Sequence, residues 1–413
     1  MTVKTADIRM MNNETAAPVK RRFFLAMPKR ADRSILISIL VLAAFGLLMI
    51  ASSSMGLTVG RPGRLALILI KQFVFLGAGY YFMARLANNF KLSFLKSGSF
   101  PVWAIGIGAA LVFCLAFPAA GGARAWIRVP ISGMDISIQP SEFAKVMVIL
   151  IVAAYCGDVK KVFDNSSDIV KRPAVFIFAY FFIVLLLQSD MGSAVVILMI
   201  ACICMMIPQH PQLMPTQRLI RFLIILGIAV VLYILSPFGE AVIRRLPLKA
   251  YQINRFLSAL NPFVDMYDTG FQLVNGLVSF ATGGWIGLGY GNSVRKYTQF
   301  PAANTDFILA IVVEELGLVG FLIIFIPYMI IIVQLFRYAM KIKSEQARII
   351  LIGTAMYLVI HCLFNIGGVT GMIPLTGVPL LMISSGGSST LAFMIAVGIS
   401  QAVIDQYRKG AIQ

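Results

Sequence analysis

Ten stretches of apolar sequence, each long enough or nearly long enough to cross a lipid bilayer, constrain the fold of this chain most. A helix needs ~20 mostly apolar residues to span the hydrocarbon core. The sequence therefore predicts an all-α integral membrane protein with ten transmembrane helices, and the even number puts both termini on one side. The candidate spans lie near 34–54, 65–84, 101–118, 143–157, 173–188, 191–207, 219–236, 305–334, 348–366 and 388–405.

The composition supports a membrane protein and excludes several other classes. Of the 413 residues, 59% are hydrophobic and 13% are charged, against about 45–50% and about a quarter in soluble domains. These values exclude a soluble globular enzyme, a disordered protein and a disulfide scaffold. We expect the cysteines to be small packing residues without disulfides or zinc, because they lie in or beside apolar spans. They are Cys114, Cys156, Cys202, Cys204 and Cys362.

The positive charge of the chain predicts its orientation. Lys and Arg number 35 against 17 Asp and Glu, a net charge of +18. Most of the basic residues fall in segments that face the cytoplasm if the N-terminus does, which favours cytoplasmic N- and C-termini. Nucleic acid is therefore not needed as a partner to explain the charge.

The same topology divides the chain into three parts. Residues 1–33 are predicted to be a disordered cytoplasmic tail rather than a cleavable signal peptide, with basic clusters that lie against anionic membrane lipid. Residues 34–405 form the ten-helix membrane domain, and 406–413 form a cytoplasmic tail. Within the membrane domain, 237–304 is a large extracytoplasmic loop between helices 7 and 8.

The outer segment 119–145 has unusual chemistry for a connector. Trp126 lies close to Arg124, which gives an aromatic surface beside a cation. The alternative is an interfacial Trp anchor with a snorkelling arginine, which is the commonest role of such a cluster. Gln139, Pro140 and Glu142 indicate a helix start. Lys145, one turn further, is expected to face a polar cavity or to snorkel outward.

An acidic residue lies at the junction between the large loop and the eighth span. Asp306 follows Asn304 and Thr305, so it is either a first-turn acid beside a helix cap or a catalytic carboxylate. Glu314 and Glu315 lie deeper in the span, where paired acids usually face a bundle interior. The glycine-rich stretch 283–291 is not a dinucleotide-binding loop, because no strand precedes it.

The third outer segment, 367–389, contains helix-breaking residues at membrane depth. Irregular backbone there requires cover by protein or a water-filled cavity. Backbone N–H groups near Gly387, followed by Ser388 and Ser389, are placed to face an anion, and a re-entrant structural loop is the alternative. Cations, a carboxylate and helix N-termini thus converge on the outer face, in a cavity suited to an amphiphilic substrate with an anionic head.

Five separated blocks, in order, resemble the SEDS (shape, elongation, division and sporulation) family of peptidoglycan polymerases, which includes FtsW and RodA. The resemblance covers nearly the whole chain from about residue 33, and the 373–377 block and long N-terminal tail are closer to the division type, FtsW. The matching blocks are 123–127, 138–145, 188–193, 305–308 with 314–317, and 374–379 through 386–389.

This resemblance implies a glycosyltransferase that polymerises lipid II, with Asp306 as the general base of an inverting reaction. It implies that cationic side chains neutralise the diphosphate, and that a divalent cation (Mg or Mn) would assist them, although the sequence shows no clear carboxylate cage. The expected diphosphate-binding cations are Arg124, Lys145, Arg244, Arg245 and Lys249. The other expected substrate-binding residues are Trp126, Gln139, Glu142, Ser388 and Ser389.

The resemblance also implies partners and a location. These are a class B penicillin-binding protein (transpeptidase), other divisome proteins, and the bacterial cytoplasmic membrane at the division septum. Three alternatives stay open from the sequence. The chain would be a lipid II flippase or transporter, an elongation-type polymerase, or a non-catalytic scaffold of the division machinery.

Overall fold

The computed structural model describes residues 26–412 except 132–133, 160–161, 166, 237, 246–249 and 299. The side chains of 130–131, 134–135 and 250–252 are likewise outside the description. The predicted tail 1–33 therefore falls mostly outside the described residues, and Lys249 falls outside them entirely.

Helices dominate the described chain. In order they are α1 Arg33–Ser54, α2 Pro62–Asn89, α3 Phe100–Phe113, α4 Pro140–Cys156, α5 Asp168–Phe182, α6 Met191–Met205, α7 Met214–Ile234, α8 Gly239–Ile243, α9 Ala250–Leu260, α10 Phe271–Gly283, α11 Ile308–Lys341, α12 Glu345–Val369 and α13 Gly387–Arg408. The loop between the seventh and eighth predicted spans thus contains three helices, α8 to α10, which the sequence did not predict.

Each predicted span coincides with one of the other ten helices, although their bounds differ. Among the described residues, seven helices are long and apolar enough to cross a membrane: α1, α2, α5 with its extension to Leu187, α7, α11, α12 and α13. Two more, α3 and α6, are apolar but shorter. The chain is therefore an all-helical membrane protein, and the count of ten spans stays a prediction.

A two-stranded antiparallel hairpin between α3 and α4 was not predicted. Strand β1 is Ile127–Ile131 and β2 is Met134–Ile138, and Ile127 pairs with Ile138. The signal was present in the sequence, because Ile127, Val129, Ile136 and Ile138 alternate with polar residues in the strand period. The hairpin holds the segment that leads into α4 against the helical bundle.

The bundle is built around α13. This helix packs against α2, α4 and α12, while α11 packs against α1, α10 and α12. Nearly all of α13 is buried, whereas α7 contains no buried residue. The five cysteines are free, as predicted.

Helix α11 is kinked at Gly317, and the loop between α7 and α11 fills the kink. Gly317 has φ +61°, and a Cβ there would lie 2.4 Å from the backbone carbon of Trp285. Backbone N–H groups of the loop then replace the interrupted helical bonds: Leu288 N donates to Glu314 O at 3.0 Å, and Gly289 N donates to Glu315 O at 2.8 Å. The glycine therefore allows the loop to dock against the helix.

A buried ionic cluster lies beneath this docked loop. Glu315 accepts from Lys296 Nζ at 2.9 Å, from Ser52 Oγ at 2.6 Å and from the backbone N of Gly291 at 3.0 Å. Glu314 accepts from Ser293 Oγ at 2.6 Å. The prediction that both acids face the bundle interior is confirmed. We call Ser52, Ser279, Ser293, Lys296, Glu314 and Glu315 the loop cluster.

Candidate functional site

A cavity of about 560 Å³ lies where the hairpin, the 373–379 segment and the starts of α4, α6 and α13 meet. The end of α7 and the turn before α11 complete its wall. Most of the predicted site residues line it together: Trp126, Gln139, Glu142, Lys145, Asp306, Ser388 and Ser389. Trp126 is half-buried in this wall, which favours the binding interpretation over the membrane anchor.

Asp306 lies in a turn and not in a helix cap. Helix α11 begins at Ile308, and no side chain caps its first N–H groups. Asn304 donates instead to Ser54 Oγ at 3.3 Å, so the capping interpretation is wrong. Asn365 Nδ2 donates to the backbone oxygen of Asp306 at 2.8 Å, which fixes the turn against α12. The carboxylate is thus available to the cavity.

The surroundings of Asp306 make it a carboxylate that titrates near neutral pH. Burial raises the pKa of Asp306 to about 6; the positive charge of Arg255 opposes this rise, and the negative charge of Asp190 adds to it. Gly377 lies between the opposite charges, because a Cβ there would be 3.6 Å from Asp306 Oδ2 and 3.8 Å from Arg255 Nη1. Such a group can accept a proton at neutral pH.

A second set of charged groups lies at the cavity, where Glu142 and Lys145 are lining residues. Lys145 Nζ donates to Glu142 Oε1 at 2.7 Å and lies 3.2 Å from His361 Nε2. Tyr357 OH donates to Glu142 Oε2 at 3.0 Å. Glu142, Lys145, Tyr357 and His361 are all buried, and we call them the cavity cluster. Lys145 therefore faces inward, as one of the two predicted alternatives required.

Three helix N-termini point at the cavity, because the N-cap residues of α4, α6 and α13 line it. These are Gln139, Asp190 and Gly386. Gln139 Nε2 donates to Asp190 Oδ2 at 2.9 Å, and the Gln139 N–H donates to Ser388 Oγ at 2.9 Å. The partial positive charge of helix N-termini favours an anion, which agrees with the predicted role of the Gly387 region.

The structure does not bring the predicted arginines to the cavity. Arg124 is exposed and lies outside the lining. Arg244 is exposed and pairs with Glu240 at 2.8 Å, and Arg245 is exposed beside it. Glu240 of α8 gives Arg244 a partner of its own. Arg124, Arg244 and Arg245 therefore do not line this cavity, and their expected role in binding the diphosphate stays a prediction.

Three charged residues that were not predicted as site residues line the cavity instead: Lys71, Asp190 and Arg255. Lys71 interrupts an apolar span, which is itself a signal of function. Asp190 belongs to one of the matching sequence blocks. Arg255 lies on α9 and comes to the cavity only through the fold of the loop, where its Nη1 donates to Leu375 O at 3.2 Å.

The carboxylates of the cavity do not form a metal cage. Among the described residues, no group of three or more His, Cys, Asp or Glu side chains is placed to hold a metal ion. Glu142 is engaged by Lys145 and Tyr357, and Asp190 by Gln139. The donor set therefore does not fit a metal held by protein ligands alone.

Comparison with known proteins shows which family shares this sequence and architecture. The family model of the FtsW, RodA and SpoVE cell cycle proteins matches residues 32–409. The probable peptidoglycan glycosyltransferase FtsW of Dichelobacter nodosus is 32% identical over 418 residues, covering 97% of this chain and 96% of its own. The FtsW of Bacillus subtilis is 31% identical over 375 residues, covering 90% of each chain.

Solved structures share the fold. A chain from a peptidoglycan synthase complex that coordinates polymerization and crosslinking aligns with a TM-score of 0.69 and 24% identity, over 91% of this chain and 98% of its own. The rod shape determining protein RodA of Thermus thermophilus aligns with a TM-score of 0.58 and 21% identity, over 91% and 97% of the two chains. Because the family model spans nearly the whole described bundle, this chain belongs to the FtsW/RodA/SpoVE family, as the resemblance of its sequence blocks predicted.

Proposed function

We propose that this protein is a peptidoglycan glycosyltransferase that polymerises lipid II at the outer face of the cytoplasmic membrane. One observation carries the proposal: the Asp306 carboxylate, with a pKa of about 6, lies on a cavity that three helix N-termini and Arg255 make favourable for an anion. Family membership supports the same activity, because relatives of nearly full length are named as peptidoglycan glycosyltransferases.

Asp306 is the proposed general base. Its carboxylate accepts the proton of the acceptor sugar 4-hydroxyl as that oxygen attacks the anomeric carbon of the donor. The new glycosidic bond forms while the bond from the anomeric carbon to the diphosphate oxygen breaks, so an α-linked donor gives a β-linked glycan. The diphosphate leaves as an anion and needs no strong acid.

Cations of the cavity are proposed to receive the diphosphate. Arg255 and Lys71 line the cavity, and they replace Arg124, Arg244 and Arg245 in this role. Lys145 is already balanced by Glu142 at 2.7 Å, so it contributes donors rather than net charge. A divalent cation would arrive on the diphosphate, as Mg²⁺ commonly does, and no step of the proposal runs through it.

The proposed topology has ten spans with both termini in the cytoplasm, which puts Asp306 and the α8–α10 loop outside. The excess of basic residues in the opposite segments supports it. The proposed partner is a class B penicillin-binding protein, whose membrane helix would lie on α11. Residues of α11 expose a continuous apolar face, including Val319, Leu322 and Ile326. Most of α12 is buried, which leaves it less apolar surface for such a contact.

The polymerisation assay tests the activity. Purified protein, with and without its partner, is given labelled lipid II, and the glycan products are separated by length. Asp306→Asn is expected to abolish the ladders while leaving folding intact. Asp268→Asn, which changes an exposed aspartate of the same loop, is the matched control. A ladder of normal intensity from Asp306→Asn would exclude the proposed base.

The same preparation separates the alternatives. Lipid transfer across vesicles without glycan synthesis would favour the transporter. A septum formed by cells whose only copy is Asp306→Asn would favour the scaffold. The division role, which we propose at the septum with other divisome proteins, is tested against elongation by asking whether depletion gives filaments or round cells.

A further inference from the structure

The end of the bundle opposite Asp306 carries a second pocket, of about 520 Å³, that the proposed reaction does not use. Helix α6 runs from Asp190 at the catalytic cavity to Met205, a length of ~22 Å. The turn after Met205 and the first turns of α12 form the pocket. The two sites therefore lie at opposite ends of the bundle.

The pocket combines an apolar floor with a cationic edge. Ile207, Met214 and Ile352 line it together with His210 and Arg348. Such a mixture suits a ligand that has both an apolar and an anionic part. Water-soluble anions would gain nothing from the apolar residues.

Arg348 is the main evidence for an anion. Its side chain is half-buried, and among the residues that the structure describes no carboxylate forms an ion pair with it. The acid one turn earlier, Glu345, accepts instead from Gln209 N at 2.9 Å and Asp158 N at 3.3 Å. A partly desolvated guanidinium without an anion is unfavourable, so the pocket is built for an anionic ligand.

His210 supplies a second donor. Its Nδ1 accepts from Gln212 N at 3.3 Å, so the neutral ring carries its proton on Nε2. Arg218 and Arg221, on the first two turns of α7, are exposed close to this edge in sequence and add positive charge. Positive charge at this edge favours a phosphate diester as the anionic group.

The position of α7 identifies the apolar part of the ligand. No residue of α7 is buried, and this helix begins at the pocket with Met214. Acyl chains lying along α7 would cover its apolar surface while their phosphate reaches Arg348. Basic pockets at membrane-helix ends are known to hold anionic lipid headgroups.

We propose that this pocket binds one anionic phospholipid, with its phosphate on Arg348 and His210 and its acyl chains along α7. In the proposed topology the lipid belongs to the cytoplasmic leaflet. The inference is independent of the glycosyltransferase activity, since it uses none of the residues around Asp306.

The test is a binding titration of the purified full chain in neutral detergent. Phosphatidylglycerol is added, and the bound lipid is counted by native mass spectrometry. Arg348→Gln is expected to weaken binding at least about tenfold, the effect of losing one charge-assisted hydrogen bond. Arg337→Gln removes an exposed charge of α11 outside the pocket, and it is expected to leave binding unchanged.

Other outcomes overturn the proposal. Equal losses in Arg348→Gln and Arg337→Gln would mean general surface charge. Equal affinity for phosphatidylcholine would remove the anionic specificity, and displacement of the lipid by millimolar inorganic phosphate or by an acidic peptide would mean a soluble ligand. If Arg348→Gln does not fold, His210→Ala is measured, with a several-fold weakening expected; unchanged binding there contradicts the assignment.

Discussion

Two buried Glu–Lys pairs in this protein have nearly the same geometry and different surroundings. In the cavity cluster, Lys145 and Glu142 are 2.7 Å apart; in the loop cluster, Lys296 and Glu315 are 2.9 Å apart. All four side chains are almost completely buried. The first pair lines the cavity, whereas the second is enclosed by serine hydroxyls and loop amides.

This difference teaches that buried charge inside a membrane bundle does not by itself identify a binding site. The loop cluster uses its charges to attach the 284–296 segment to α11, because groups of this segment donate to both oxygens of Glu315 and to Oε2 of Glu314. In the cavity cluster, by contrast, Glu142 and Lys145 belong to the lining of the cavity. Mutations in the loop cluster should therefore affect the attachment of the loop, and mutations in the cavity cluster should affect substrate binding.

The largest effect is expected from Lys296→Met. Removing one partner of a buried pair leaves an uncompensated charge on Glu315, which costs ~3–5 kcal/mol of unfolding free energy. Denaturant unfolding in micelles measures the loss. Lys341→Met, at the end of α11, is the exposed control. The double change Lys296→Met with Glu315→Met should recover most of the stability, and an unchanged single variant would refute the attachment role.

Lys145→Met is expected to reduce polymerisation ~10²-fold, since the substrate loses charge-assisted donors. Its unfolding free energy should fall less than that of Lys296→Met, because Glu142 is a lining residue of the cavity whereas Glu315 is enclosed by protein donors. The rate of glycan synthesis and the unfolding midpoint are measured on the same preparation. Equal losses of unfolding free energy in the two lysine variants would contradict the proposed difference between the two clusters.

The pH dependence of the reaction should follow Asp306. With a pKa of about 6, its carboxylate is ionised above that pH, so the rate rises with pH and at pH 5 is about tenfold below its plateau. Measuring kcat/KM as a function of pH tests this dependence.

Arg255→Gln tests the direction in which the midpoint of this pH profile moves. The positive charge of Arg255 lowers the pKa of Asp306, so removing it should move the midpoint upward. A downward shift, or a flat profile between pH 5 and 8, would contradict the role of Asp306 as base.

Gly377→Ala should give the smallest effect. Gly377 has φ +72°, and its added methyl would meet Asp306 Oδ2 at an ordinary contact of 3.6 Å. Backbone strain of ~1–2 kcal/mol should lower the rate several-fold by shifting the segment that faces Asp306. Gly63→Ala, at an open position of α2, should not change the rate. A full loss of activity would mean that the methyl group blocks the cavity itself.

The sequence predicted the site best where the local chain determines the position of a side chain. Pro140 starts α4, so Glu142 lies in its first turn and Lys145 in the next, both on the cavity side. Asp306 lies two residues before α11, and Ser388 lies in the first turn of α13. In each case the helix start, readable from the sequence, fixed which end of the bundle the residue occupies.

The prediction failed where direction depends on distant packing. Arg124 is two residues from Trp126, yet only Trp126 faces the cavity, because the hairpin and its approach orient them differently. The basic residues of the large loop were equally plausible from the sequence. Only the packing of α9 against the 373–379 segment distinguishes Arg255 from Arg244. No local pattern carries that information.

A helix as exposed as α7 would lie against membrane lipid, which would make the bilayer a structural neighbour of the cavity. Val231, Ile234 and Leu235 line one side of it, and the main contacts of this helix among the described residues are with the segments directly before and after it. The lateral pressure and the hydrocarbon thickness of the membrane then determine how stably α7 is held at this side of the cavity. Activity should consequently vary with acyl-chain length even for lipids that never enter the cavity. Short-chain detergents should lower the activity without unfolding the protein.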